Sequence, residues 1–169
     1  MSRHDKSRRE FVSWSAAAGL LAATGSRAAA PLEVIEQEVA IRTADGNCDA
    51  VFYQPGQGAH AGVLIWTDIF GLRPAFRQFG RRLAAAGYSV LVPNPFYRTA
   101  KAPVFADISS FSFQNEADRA KLPPLVGPLN AAGAVESDAQ AFIAFLDAQR
   151  QVSKSRRSAP RVIAWAGRW

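Results

Sequence analysis

Few side chains in this 169-residue sequence could act as nucleophile, base or soft metal ligand. It holds one cysteine, Cys48, and two histidines, His4 and His60. Cys48 begins the run Cys48-Asp49-Ala50-Val51-Phe52-Tyr53, which reads as a strand, so its thiol is read as buried and structural. His4 stands near the N-terminus and His60 in a glycine-rich turn. One cysteine and one histidine beyond the leader cannot build a zinc or iron site, and a lone cysteine forms no intrachain disulfide. No metal or other cofactor is expected. Arg77, Arg81 and Arg82 share one helical face, which reads as a solvated face in preference to a binding patch.

The formal charge of +6 is unevenly spread. Residues 1–30 carry Arg3, Lys6, Arg8, Arg9 and Arg27 against Asp5 and Glu10, and residues 150–169 carry six basic residues and no acid. The body between them is therefore mildly acidic. Nucleic-acid binding needs a basic face on the folded domain, so the sequence argues against that class.

Residues 1–30 read as a cleavable export signal. Ser7-Arg8-Arg9-Glu10-Phe11-Val12 precedes the apolar run Val12 to Ala23, then Ser26-Arg27-Ala28-Ala29-Ala30. The apolar run falls short of the roughly 20 residues of a membrane span. Paired arginines followed by phenylalanine resemble a twin-arginine (Tat) signal, which implies handling by the Tat export machinery and a periplasmic location. A chance Arg-Arg pair in an ordinary export signal is the alternative. Cleavage is expected near Ala28 or Ala30.

The remaining chain alternates between strand and helix patterns. Residues 34–42 and 48–54 read as an antiparallel hairpin about Asp45-Gly46-Asn47. Ala61-Gly62-Val63-Leu64-Ile65-Trp66 is continuously apolar, as in a strand buried on both faces. A helix is predicted from Pro74 to Ala86, with Phe76, Phe79, Leu83 and Ala86 as its inner stripe and Gly87 as its stop. Ser89-Val90-Leu91-Val92 follows as a strand, giving a right-handed βαβ unit. Residues 94–130 read as a long, partly helical loop of the kind that forms lids and binding sites. A helix over 134–149 presents Val135, Ala139, Phe142, Ile143 and Leu146. Fold class is thus α/β: a β-hairpin followed by βαβ units on a mostly parallel sheet.

Three segments in this order carry a resemblance. Trp66-Thr67-Asp68-Ile69-Phe70-Gly71-Leu72 resembles the acid-Ile-Phe-Gly motif of the dienelactone hydrolase family. Val92-Pro93-Asn94-Pro95-Phe96-Tyr97-Arg98 resembles its Pro-Asp-x-Tyr-x-Arg strand end, and Leu83-Ala84-Ala85-Ala86-Gly87-Tyr88 its helix end. The resemblance covers about residues 35 to 156. It implies the N-terminal part of an α/β-hydrolase fold, opening a small-molecule ester or lactone through a Cys (sometimes Ser), His and Asp triad, with no cofactor. By that resemblance the Ile69 N–H is an oxyanion donor and Arg98 binds the substrate carboxylate. Asp68 stands where the family usually has a Glu that contacts the resting nucleophile. The bland alternatives are a turn-capping acid for Asp68 and a surface arginine for Arg98.

The family's nucleophile, in a Gly-x-Cys-x-Gly-Gly setting after the next strand, has no counterpart here. Cys48 precedes the core, and His60 does not follow an Asp in triad order. Residues 31–156 are therefore expected to be a partial domain, incomplete at the C-terminus, with an open edge where the nucleophile strand would pair. One permitted codon spelling of Arg161 to Trp169, read from the third base, gives Gly-Tyr-Cys-Met-Gly-Gly-Pro-Leu. Residues 157–169 are accordingly expected to be an out-of-frame tail, and the chain catalytically inactive. Its alternative roles are a non-catalytic fragment or a small periplasmic ligand-binding module built on Arg98 and the 94–130 loop.

Overall fold

The computed structural model describes residues 30–155 and the backbone of residues 163 and 164. Residues 1–29 of the segment read as an export signal, and all but residues 163 and 164 of the expected 157–169 tail, lie outside these residues. Strands β1 (Val34–Thr43) and β2 (Gly46–Pro55) form the expected hairpin, pairing Thr43 with Gly46. The turn is thus Ala44-Asp45, one residue earlier than the sequence suggested. Strand β3 (Ala61–Trp66), helix α1 (Pro74–Ala85) and strand β4 (Tyr88–Pro93) follow as the βαβ unit. Strand β4 lies between β2 and β3, antiparallel to the first and parallel to the second.

The far edge of β3, expected to be open, is paired over two residues by β5 (Ile163–Ala164) in parallel. Extended backbone satisfies an unpaired edge through N–H and C=O groups that every non-proline residue carries. Pairing at the start of the same strand is supplied by the parallel bridge between His60 and Val152.

Alternation along the strands divides the core into two faces. Ala50, Phe52, Leu64 and Leu91 face one way and pack with Phe142 and Leu146 of helix α4 (Ala134–Ala148). Val51, Tyr53, Val63, Ile65, Val90 and Val92 face the other and pack with Ala84, Phe76 and Phe79 of α1. Helix α1 approaches closely at Gly80, where a Cβ would stand 2.8 Å from the Tyr53 ring. Its arginines are not simply solvated: Arg77 pairs with Glu36 and Glu38, and Arg81 with Glu36, tying the helix to β1.

Helix α4 is rotated from the sequence expectation. Its buried stripe is Ala134, Asp138, Phe142 and Leu146, while Val135 is exposed. The carboxylate in mid-stripe disguised the true face, and its burial has a cause described below. Residues 94–130 contain two short helices, α2 (Glu116–Arg119) and α3 (Pro123–Leu129). The Asn115 side chain caps α2 by accepting the Ala117 N–H at 2.9 Å. Leu125 and Val126 of α3 join Ile69 and Phe96 in a third, smaller cluster.

Candidate active site

Parallel strands β3 and β4 send their C-terminal ends into neighbouring loops, the usual place for a ligand on an open α/β sheet. After β3, Asp68 builds the loop. Its carboxylate accepts the Phe70 N–H at 3.0 Å, and its carbonyl accepts the Gly71 N–H at 2.8 Å. Gly71 has φ +71, and a Cβ there would stand 3.0 Å from the Phe96 ring, so the turn requires glycine. Arg73 then forks onto both Asp68 oxygens at 2.6 and 2.8 Å, while its guanidinium lies 4.8 Å from the Phe76 ring centre. Asp68 is therefore a loop-shaping acid whose charge is already answered.

The loop after β4 is held by a pair that the sequence did not single out. Asn94, fully buried, donates from its amide nitrogen to Asp49 at 2.9 Å and to the Ala100 carbonyl at 2.8 Å. Its side-chain oxygen accepts the Phe96 N–H at 3.0 Å, and the other Asp49 oxygen accepts the Ala102 N–H at 2.8 Å. An amide serves where a second carboxylate would repel Asp49. The asparagine in a family position usually held by aspartate was the available signal, but its partner lies 45 residues away.

Between the two loops lies an open recess of about 340 Å³, solvent at its mouth included, lined by Trp66, Thr67, Asp68, Ile69, Pro95, Phe96, Val126 and Leu129. The structure thus brings Asp68 and Ile69 together. Among the described residues the Ile69 N–H has no acceptor. Thr67, only 4% exposed, also leaves its hydroxyl without a partner among these residues.

Arg98 does not line that recess. Its guanidinium forks onto Asp138 at 2.7 and 2.8 Å and donates twice to Asp45, at 2.8 and 2.6 Å. It also lies 4.6 Å from the Tyr97 ring centre, and Tyr97 donates its hydroxyl to Asp138 at 2.8 Å. Asp138 and Asp45 hold the guanidinium well above its usual pKa. This explains the buried carboxylate of α4: it faces an arginine across the sheet end.

Cys48 is fully buried, with its S–H toward the Asn94 and Asp49 carbonyls. Burial, helped by the Asp49 charge, pushes its thiol up to about 12, so it stays protonated and inert. His60 precedes β3 and turns both ring nitrogens toward carbonyls, of Gly87 at 3.0 Å and Gln57 at 2.8 Å. A six-residue strand separates it from Thr67, about 20 Å at the usual rise per residue. Among the described residues no group of three or more His, Cys, Asp or Glu could hold a metal ion, and no helix is long and apolar enough to cross a membrane.

Sheet order, crossover helix and loop recess are those of the N-terminal part of an α/β-hydrolase fold. The chain belongs to the dienelactone hydrolase family, whose profile it matches over residues 48–158. Among solved structures it is similar to a candidate dienelactone hydrolase from Klebsiella pneumoniae, at 23% identity and a TM-score of 0.53 over 67% of this chain and 43% of that one. A protein named m3DLH shows 23% identity and a TM-score of 0.55, over 73% of this chain and 47% of that one. A dienelactone hydrolase-like promiscuous phosphotriesterase from metagenomic libraries shows 21% and 0.52, over 71% and 45%. The chain therefore spans less than half the length of these three structures. No curated protein sequence matches it.

Proposed function

We propose that this chain is the carbonyl-binding half of a hydrolase that opens ester or lactone bonds of small molecules. The observation that carries the reading is Ile69, at the wall of a recess lined mainly by apolar side chains, whose N–H has no acceptor among the described residues. A preorganised backbone N–H of this kind polarises a substrate carbonyl and steadies the negative charge that develops on its oxygen. The Asp68 turn holds Ile69 in place, and Arg73 keeps the Asp68 charge from repelling an oxyanion. In the family's reaction a thiolate attacks the carbonyl carbon, the alcohol leaves, and water activated by histidine cleaves the acyl-enzyme. Nothing in the described residues supplies those last roles: Cys48 is sealed and protonated, and His60 lies at the other end of β3.

The chain as written therefore binds without turning over, which also fits a small ligand-binding module. Arg98 stands outside the recess, and a substrate carboxylate would have to displace Asp45 to reach it. We further propose a twin-arginine leader over 1–30, a periplasmic location, and a tail over 157–169 translated out of frame. Resequencing from codon 150 onward tests the hydrolase reading. A single inserted or missing base whose correction restores Gly-x-Cys-x-Gly-Gly, in a product that then hydrolyses p-nitrophenyl acetate, is the expected result. The present reading confirmed, with no such motif in another frame, would overturn it in favour of the binding module.

A further inference from the structure

The recess contains a second polar group that nothing so far employs. Thr67 lines it, yet its Oγ1 is closed to bulk water and has no hydrogen-bond partner among the described residues. Leaving a buried hydroxyl unsatisfied is costly, so an orphan at a site wall calls for an explanation. Packing alone does not need it, because valine has the same shape without the orphan oxygen. Threonine carries its hydroxyl and methyl on one carbon, and a single staggered step about χ1 carries the hydroxyl into the place the methyl held.

Resting on the reading of the recess as a carbonyl site, we infer that Thr67 is a second hydrogen-bond donor of that site. Its hydroxyl turns to the ligand's carbonyl oxygen and shares it with the Ile69 N–H. Two donors converging on one oxygen select a ligand that offers an acceptor and no donor there. The class selected is a carbonyl compound with an apolar substituent for the Trp66, Phe96, Val126 and Leu129 walls: an ester, lactone or ketone, rather than an alcohol or amine.

The test uses the full chain and 4-phenylbutan-2-one, a ketone that cannot be hydrolysed, followed by amide NMR titration. Wild type is expected to show a saturable shift at Ile69. Thr67→Val is expected to weaken binding about threefold to tenfold, the range for one lost hydrogen bond, while its Tm stays level or rises. Thr67→Ser keeps the donor and is expected to bind within about twofold of wild type. Equal affinity of wild type and Thr67→Val would overturn the role of Thr67 and leave the recess reading standing. A Tm for Thr67→Val several degrees lower would overturn it too, because the hydroxyl would then be serving the fold. No shift at Ile69 in wild type would overturn the carbonyl site itself, and this inference with it.

Discussion

Two arginine–aspartate forks stand at the same end of the sheet and do different work. Arg73 and Asp68 are five residues apart, partly open to water, and shape one loop. Arg98 and Asp138 are 40 residues apart, with side chains only 11% and 1% exposed, and with Asp45 they join the β1–β2 turn, the loop after β4 and helix α4. The lesson is that an arginine in a family motif position is not thereby a ligand-binding arginine. What decides is whether its donors are free, and those of Arg98 are mostly spent on the protein itself.

The largest expected effect of breaking this contrast is at the buried fork. Arg98→Ala leaves Asp138 as a buried charge without its partner, at an expected cost of about 3–5 kcal/mol in urea unfolding. A loss below about 1 kcal/mol would mean that water or another cation replaces the guanidinium. Asp68→Ala should cost less, about 1–2 kcal/mol, because its pair with Arg73 is wetter and local. Its signature should be faster amide exchange at Phe70 and Gly71, with the α4 amides unchanged. A change spread over α4 would erase the distinction between the forks.

Cys48 sharpens the same contrast from the side of chemistry. Its folded pKa lies above the unfolded value of 9.0, so the fold favours the protonated thiol. Stability from this source is complete below about pH 9 and falls as pH rises toward about 12. Below pH 9 a disulfide reagent should label Cys48 only in denaturant; rapid labelling of the native chain at pH 8 would contradict its burial.

Most of the fold was legible because it is local. The apolar run at 61–66, the proline-started helix at 74 and the glycine stop at 87 each announce themselves within a few residues. The loop motif Asp68-Ile69-Phe70-Gly71 was equally readable, since its hydrogen bonds close within three residues. What escaped notice depends on distant partners. The inner face of α4 was misjudged because Asp138 looks like a surface residue until Arg98 is placed beside it. Asn94 looks like a turn residue until Asp49 arrives from β2. Short helices α2 and α3 were blurred by Pro123, Pro124 and Pro128, which suppress any helical pattern. Thr67 carried no sequence signal, since only a three-dimensional inventory of partners reveals a hydroxyl left without one.

The central proposal is that this chain carries the carbonyl-holding end of a hydrolase site and, among the described residues, no nucleophile to use it. Its most direct test is steady-state hydrolysis of p-nitrophenyl acetate by the purified 169-residue protein. The expected rate equals that of buffer at every enzyme concentration. Turnover proportional to enzyme and saturable in ester would show that a nucleophile is present, and would contradict the account.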